Sequence, residues 1–294
     1  MSVKDLYSVL TEVCENLYIR ALKGVPEDVV AALKNSMENE TSKIGKRMLE
    51  ILIENIRTAK ENDMIVCQDT GSPVYYVTIG DMEVNIPKLF NAIKKGVEQA
   101  TIKYNLRPNM VHPITRKNTG TNTGKFAPII HIDADEKLGK AIRITAMPKG
   151  SGSENLGQLA MLVPADGLKG VKKFILESLV KASTKGCPPY IVGIGIGSTF
   201  DGVAFLAKKA LFRPISERCD DEVGRELEEE LLREINELGI GPQGVGGRFT
   251  AVAVNVEIGE THISSLPVAV NIQCWKGQIA TAIVSSDLNV KYII

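Results

Sequence analysis

The residues best suited to chemistry lie in Ile65-Val66-Cys67-Gln68-Asp69-Thr70-Gly71-Ser72-Pro73, where an apolar run meets a Thr-Gly-Ser-Pro turn. The stretch sets a thiol, an amide and a carboxylate side by side on one loop, from which they can project rather than pack. Two more cysteines have similar surroundings. Cys187 is held in Gly186-Cys187-Pro188-Pro189, whose prolines restrict the backbone as an immobile ligand requires, and Cys274 follows an apolar run in Asn271-Ile272-Gln273-Cys274-Trp275. Reduced thiols can serve a metal. Single cysteines this far apart converge only through the fold, so spacing alone leaves their use open.

The elements that must position them belong to a chain of 294 residues, 44% hydrophobic and 24% charged, which can bury a sizeable core. Its 35 basic and 35 acidic residues cancel, so no electrostatic footprint for nucleic acid or an anionic membrane is expected. The start of the chain lacks a clearly basic region before an apolar one, and no apolar run approaches a membrane span. The expected compartment is the cytoplasm. Five cysteines are an odd number, widely spaced, so a disulfide framework is not expected. Cys14 lies on a helical apolar face and reads as a core residue, and Cys219 reads as a non-ligand. There is no CxxC and no HExxH, and His112, His131 and His262 are few for a histidine metal centre.

Apolar periodicity predicts two or three helices over 3–62, then helices at 87–104, 167–183, 201–212 and 222–238. Strands are predicted at 74–79, 129–133, 142–146, 191–196, 250–258, 267–272 and 278–284. Arg107 falls on a loop, because Pro108 and Pro113 end the preceding helix. Lys149-Gly150-Ser151-Gly152-Ser153-Glu154-Asn155 reads either as a plain flexible turn or as a loop whose glycines let backbone amides approach an anion. Three strings approach nucleotide motifs and fail. Gly239 to Gly244 satisfies GxGxxG but follows a helix, Gly193-Ile194-Gly195-Ile196-Gly197 is followed by Ser198 where a third glycine is wanted, and 119–125 lacks the first glycine of a phosphate loop. The expected architecture is a single α+β domain over 1–294, with a helical part at about 1–62 packed on mixed or antiparallel sheets.

Cys67-Gln68-Asp69-Thr70-Gly71, Lys149 to Asn155, Gly186-Cys187-Pro188-Pro189, Gly193 to Gly197 and Thr261-His262-Ile263-Ser264-Ser265-Leu266-Pro267 closely resemble the class I, iron–sulfur fumarate hydratases and the related L-tartrate dehydratases. The likeness runs over nearly the whole chain and matches the alpha subunit. It implies a [4Fe-4S] cluster held by Cys67, Cys187 and Cys274, with one iron open to substrate. The implied reaction is reversible hydration of fumarate to L-malate, with tartrate dehydration as the alternative. The resemblance also implies that Asp69 and His262 are catalytic and that Gln68, Arg107 and Gly150 bind a small dicarboxylate. Related single-chain enzymes add residues from a C-terminal domain, so a separate beta subunit is expected, in an α2β2 assembly with contact between alpha subunits. A non-catalytic iron–sulfur sensor or assembly subunit fits less well, since it has no need of a diacid pocket. The segment Asn118 to Pro128 is longer than in the relatives.

Overall fold

The computed structural model describes residues 5–293, Thr184 by its backbone only. In chain order the helices and strands of the first half are α1 (Leu6–Lys23), α2 (Glu27–Asn39), α3 (Lys43–Glu61), β1 (Ser72–Ile79), α4 (Ile86–Lys103), β2 (Ile129–Ala134) and β3 (Ala141–Lys149). The second half adds α5 (Ser151–Glu154), β4 (Gln158–Leu162), α6 (Gly167–Ala182), β5 (Tyr190–Ser198), α7 (Phe200–Ala210), α8 (Glu222–Glu237), β6 (Ala251–Thr261), β7 (Leu266–Gln273), β8 (Ala280–Ser285) and β9 (Val290–Tyr292). Helices and mixed sheets make this an α+β fold, as expected. The backbone gathers into two compact units: one takes the chain up to Pro26, Thr58–Gly150 and Gln278 onward, and the other takes Glu27–Arg57 and Ser151–Gly277. Among the described residues no helix is long and apolar enough to cross a membrane.

The first unit carries a five-stranded sheet in the order β2-β1-β3-β8-β9, parallel only between β1 and β2. The apolar faces of α1 and α4 meet each other, and Leu10, Leu17, Tyr18, Ile93 and Val97 pack with Tyr75, Ile142, Ile144 and Ala282 of the sheet. Full burial of a side chain of this size contributes about 1.5–3 kcal/mol. Cys14 is buried here, as its helical position predicts, and its carbonyl accepts the Tyr75 hydroxyl at 2.9 Å. Asp5 caps α1 by accepting the Ser8 N–H, and Asn85 caps α4 by accepting that of Lys88.

The second unit carries a four-stranded sheet, β4-β7-β5-β6, parallel only between β5 and β6. Val171, Ile175 and Leu179 of α6 and Leu227 and Leu231 of α8 share a core with Val192, Ile194, Val256, Val268 and Val270. α7 lies directly on β5, and the glycines there are spacers. A Cβ on Gly193 would stand 2.3 Å from the Ala207 carbonyl oxygen, and one on Gly195 would stand 2.4 Å from that of Val203. The Gly-x-Gly-x-Gly string therefore serves close helix–strand packing.

Candidate active site

Cys67, Gln68, Asp69, Arg107 and Gly150 all belong to the first unit. Cys67 to Gly71 forms the approach to β1, whose Ser72 and Pro73 pair with Lys149 and Pro148 at the end of β3, so this loop lies beside the residue that precedes Gly150. Gly71 makes the approach possible: its φ is +69°, and a Cβ there would stand 2.5 Å from the Pro148 carbonyl carbon. Both prolines are tolerated because neither faces a further strand at that level. β2 starts pairing with β1 at Val74, and β8 reaches β3 only as far as Ala146.

A polar knot, buried at Tyr18, Thr70 and Asn122, fixes the loop. The Tyr18 hydroxyl donates to the Thr70 carbonyl at 2.8 Å, and the Thr70 hydroxyl donates to the Arg107 carbonyl at 2.6 Å. Burial, reinforced by the charge of Asp69, pushes the Tyr18 hydroxyl up, so it acts as a neutral donor. The Asn109 side-chain amide donates to Asp69 Oδ1 at 3.2 Å and to Thr70 Oγ1 at 2.7 Å. Buried Asn122 accepts the Asn109 N–H at 2.6 Å and donates to the Arg107 carbonyl at 3.1 Å. Asp69 Oδ1 also accepts the Gly71 N–H at 3.0 Å, while the Asp69 N–H points to Cys67 Sγ at 3.5 Å. The result is a half-buried Cys67 and Asp69 beside an exposed Gln68, with the backbone of an exposed Arg107 bolted to the same loop.

Cys187 and Cys274 belong to the second unit and meet at one end of its sheet. The Cys187 carbonyl accepts the Trp275 N–H at 3.2 Å, and the Cys274 carbonyl accepts that of Gly277 at 3.0 Å. The corner at Cys187 is anchored by Gln243, whose backbone and side-chain N–H groups reach the Pro188 carbonyl at 2.8 and 2.6 Å. Burial first, and then the nearness of Cys187 and Cys274, pushes the Tyr190 hydroxyl up to about 12. Both thiols lie within electrostatic range of this one phenol, whose hydroxyl donates to the Ser183 carbonyl at 2.8 Å. Cys187 is exposed and Cys274 half-buried, whereas burial pushes the thiols of Cys14 and Cys219 up and keeps them protonated.

The segment after Gly150 is more ordered than a flexible turn. It forms the single turn α5, and Glu154 at its end is bound by Lys208 of α7 and, at 3.3 Å, by the Asn271 amide of β7. Burial pushes the Lys208 amine down even though Glu154 opposes the shift.

His262 lies elsewhere. It occupies the turn between β6 and β7, exposed, with Nδ1 accepting the Ser264 N–H at 3.2 Å. Cys274 follows the other end of the eight-residue β7, roughly 24 Å away at the usual rise per strand residue. The structure therefore brings Gln68, Asp69, Arg107 and Cys67 together, pairs Cys187 with Cys274, and sets His262 apart from that pair. Among the described residues no group of three or more histidine, cysteine, aspartate and glutamate side chains stands ready to hold a metal ion. Asn109, Asn122 and Lys208 are the site-side residues that the sequence did not single out. The proline-bounded loop around Asn109 was the available signal.

The family model described as Fumarate hydratase (Fumerase) matches residues 11–282. The chain is 46% identical over 281 residues to the "Putative L(+)-tartrate dehydratase subunit alpha" of Methanocaldococcus jannaschii, covering 95% of this chain and 98% of that protein. It is 35% identical over 279 residues to the L(+)-tartrate dehydratase subunit alpha of Escherichia coli and to that of Shigella sonnei, covering 95% of this chain and 92% of each relative. On this match the chain belongs to the fumarate hydratase (Fumerase) family, a family of hydro-lyases.

Proposed function

We propose that this chain is the alpha subunit of a [4Fe-4S] hydro-lyase that takes water from, or adds it to, a four-carbon diacid. The observation that carries the reading is the loop Cys67-Gln68-Asp69, which the polar knot holds against the Arg107 segment. The donor set fits the cluster. Of five cysteines, Cys67, Cys187 and Cys274 keep solvent access and are our ligands, while Cys14 and Cys219 are buried. When bound, the cluster would supply a Lewis acid toward the substrate hydroxyl.

The rest falls to the chain's own groups. Arg107 holds one substrate carboxylate through two parallel hydrogen bonds, a geometry that its planar fork supplies and an ammonium does not. The Gln68 amide and the Gly150 backbone N–H complete that carboxylate's contacts. Asp69 takes the proton from the carbon next to it, and Arg107 stabilises the negative charge that develops there. His262 has no step at the thiol end of its own chain, for the distance reason given above.

The sequence ranks fumarate and malate ahead of tartrate. The names of the relatives favour the reverse order, so L(+)-tartrate is our first substrate and malate with fumarate the second reading. Those relatives are named as alpha subunits and are matched over nearly their whole length, which supports a separate beta subunit and, on our reading, an α2β2 assembly. Accessible thiol ligands suit a reducing compartment, and we assign the cytoplasm. Co-production with the beta subunit, followed by anaerobic turnover of tartrate and of malate, tests the reading. Tartrate turnover exceeding malate turnover by about tenfold or more, a modest specificity ratio, is expected; a complex inert toward both diacids would refute it.

A further inference from the structure

Asn109 touches Asp69, the proton acceptor of the mechanism, and Thr70, whose hydroxyl holds the Arg107 carbonyl. Its side-chain nitrogen lies 3.2 Å from Asp69 Oδ1 and 2.7 Å from Thr70 Oγ1, and its backbone N–H is held by Asn122 at 2.6 Å. The orientation of the amide follows from its neighbours. The Thr70 hydroxyl spends its single hydrogen on the Arg107 carbonyl at 2.6 Å, so toward Asn109 it can only accept. A carboxylate likewise only accepts. Both neighbours require the NH2 end of the amide, and both of its hydrogens are used.

We infer that Asn109 is a positioning residue for the reaction, orienting the Asp69 carboxylate and tying it to the segment that carries Arg107. The inference rests on the hydro-lyase reading above and assigns Asn109 a role exerted through Asp69 and Thr70. With the Gly71 N–H at 3.0 Å, Asn109 gives Asp69 Oδ1 two donors, which fixes the rotation of the carboxylate. Through Thr70 and Asn122, which share the Arg107 carbonyl, the same residue sets the spacing between proton acceptor and carboxylate clamp. A displacement of about 1 Å in such an array can cost roughly a hundredfold in rate.

The test uses the assembled alpha–beta complex with its cluster, comparing wild type with Asn109→Ala and with Asn109→Asp, which keeps the shape but faces two acceptors with a third. Both variants retain the backbone bond to Asn122. Expected are a kcat loss of about tenfold or more with KM within about threefold, the sign of an interaction used in the transition state, and an unchanged cluster spectrum. The loss should shrink in an Asp69→Asn background, and the unfolding equilibria of the Asn109→Ala and Asp69→Asn pair should be non-additive by roughly fivefold. Wild-type kcat in both variants, or effects on kcat and unfolding that simply add to those of Asp69→Asn, would overturn the inference. A wild-type complex inert toward every diacid, with unfolding still non-additive, refutes the hydro-lyase reading and leaves the Asn109–Asp69 bond standing.

Discussion

At the scale of single residues, the proposed chemistry rests on side chains whose type alone says what they can do and on others whose partners decide. Cys67, Cys187, Asp69 and Arg107 are of the first kind, because a thiol, a carboxylate or a guanidinium in a turn-rich setting is visible in the letters. Thr70, Asn109 and Asn122 are of the second kind: nothing in their spacing says that they meet at the Arg107 carbonyl or at Asp69. Replacing Arg107 by lysine keeps the charge and loses the fork, so KM should rise by about tenfold or more with stability unchanged. Steady-state kinetics and a thermal melt check both halves of that statement. Gly71→Ala combines a left-handed φ of +69° with a backbone contact at 2.5 Å. It should lower stability by about 2 kcal/mol, read as a lower denaturant midpoint at unchanged slope.

Among the elements, one carboxylate holds the corner between α2 and α3 to a distant loop. Glu40 accepts the N–H groups of Thr41, Ser42, Arg248 and Phe249 at 2.8 to 3.1 Å. Burial works to raise its pKa, but the four backbone bonds outweigh it and hold the carboxyl below the ordinary glutamate range. A depressed folded-state pKa contributes stability above the unfolded value, and that contribution is lost as pH falls through the folded value. Glu40→Gln should therefore cost about 1–3 kcal/mol at neutral pH, the penalty for unmatched buried donors. The deficit should narrow in acid, which urea titrations at several pH values would show. Most elements were legible because long amphipathic helices and β-branched strands carry their period in the sequence. The exceptions have reasons. β4 is a run without alternation at the sheet edge, β9 has three residues, and β3 continues to Lys149 through Pro148 because no neighbouring strand needs that proline's missing N–H.

For the molecule as a whole, the sequence suggests one domain, and the chain gathers into two units through four crossings. Three of these follow Pro26, Gly150 and Gly277, while the fourth falls between Arg57 and Thr58 inside α3, where no sequence signal could mark it. The crossing at Gly150 divides the glycine-rich segment, so its two halves answer to different cores. The proposed ligands are divided too, Cys67 in one unit and Cys187 with Cys274 in the other. The chain alone is expected to bind a cluster but to turn over diacids poorly or not at all. Comparable rates with and without the beta subunit, in a matched anaerobic assay, would contradict that expectation. The claim on which the rest depends is the cluster itself. Iron and acid-labile sulfide per chain after anaerobic purification test it most directly, with Cys187→Ser and Cys219→Ser measured alongside. The account predicts about four of each in wild type and in Cys219→Ser, the content of a [4Fe-4S] cluster, and loss of the cluster or of one iron in Cys187→Ser. Zinc, or no metal even after anaerobic reconstitution with iron and sulfide, would contradict it.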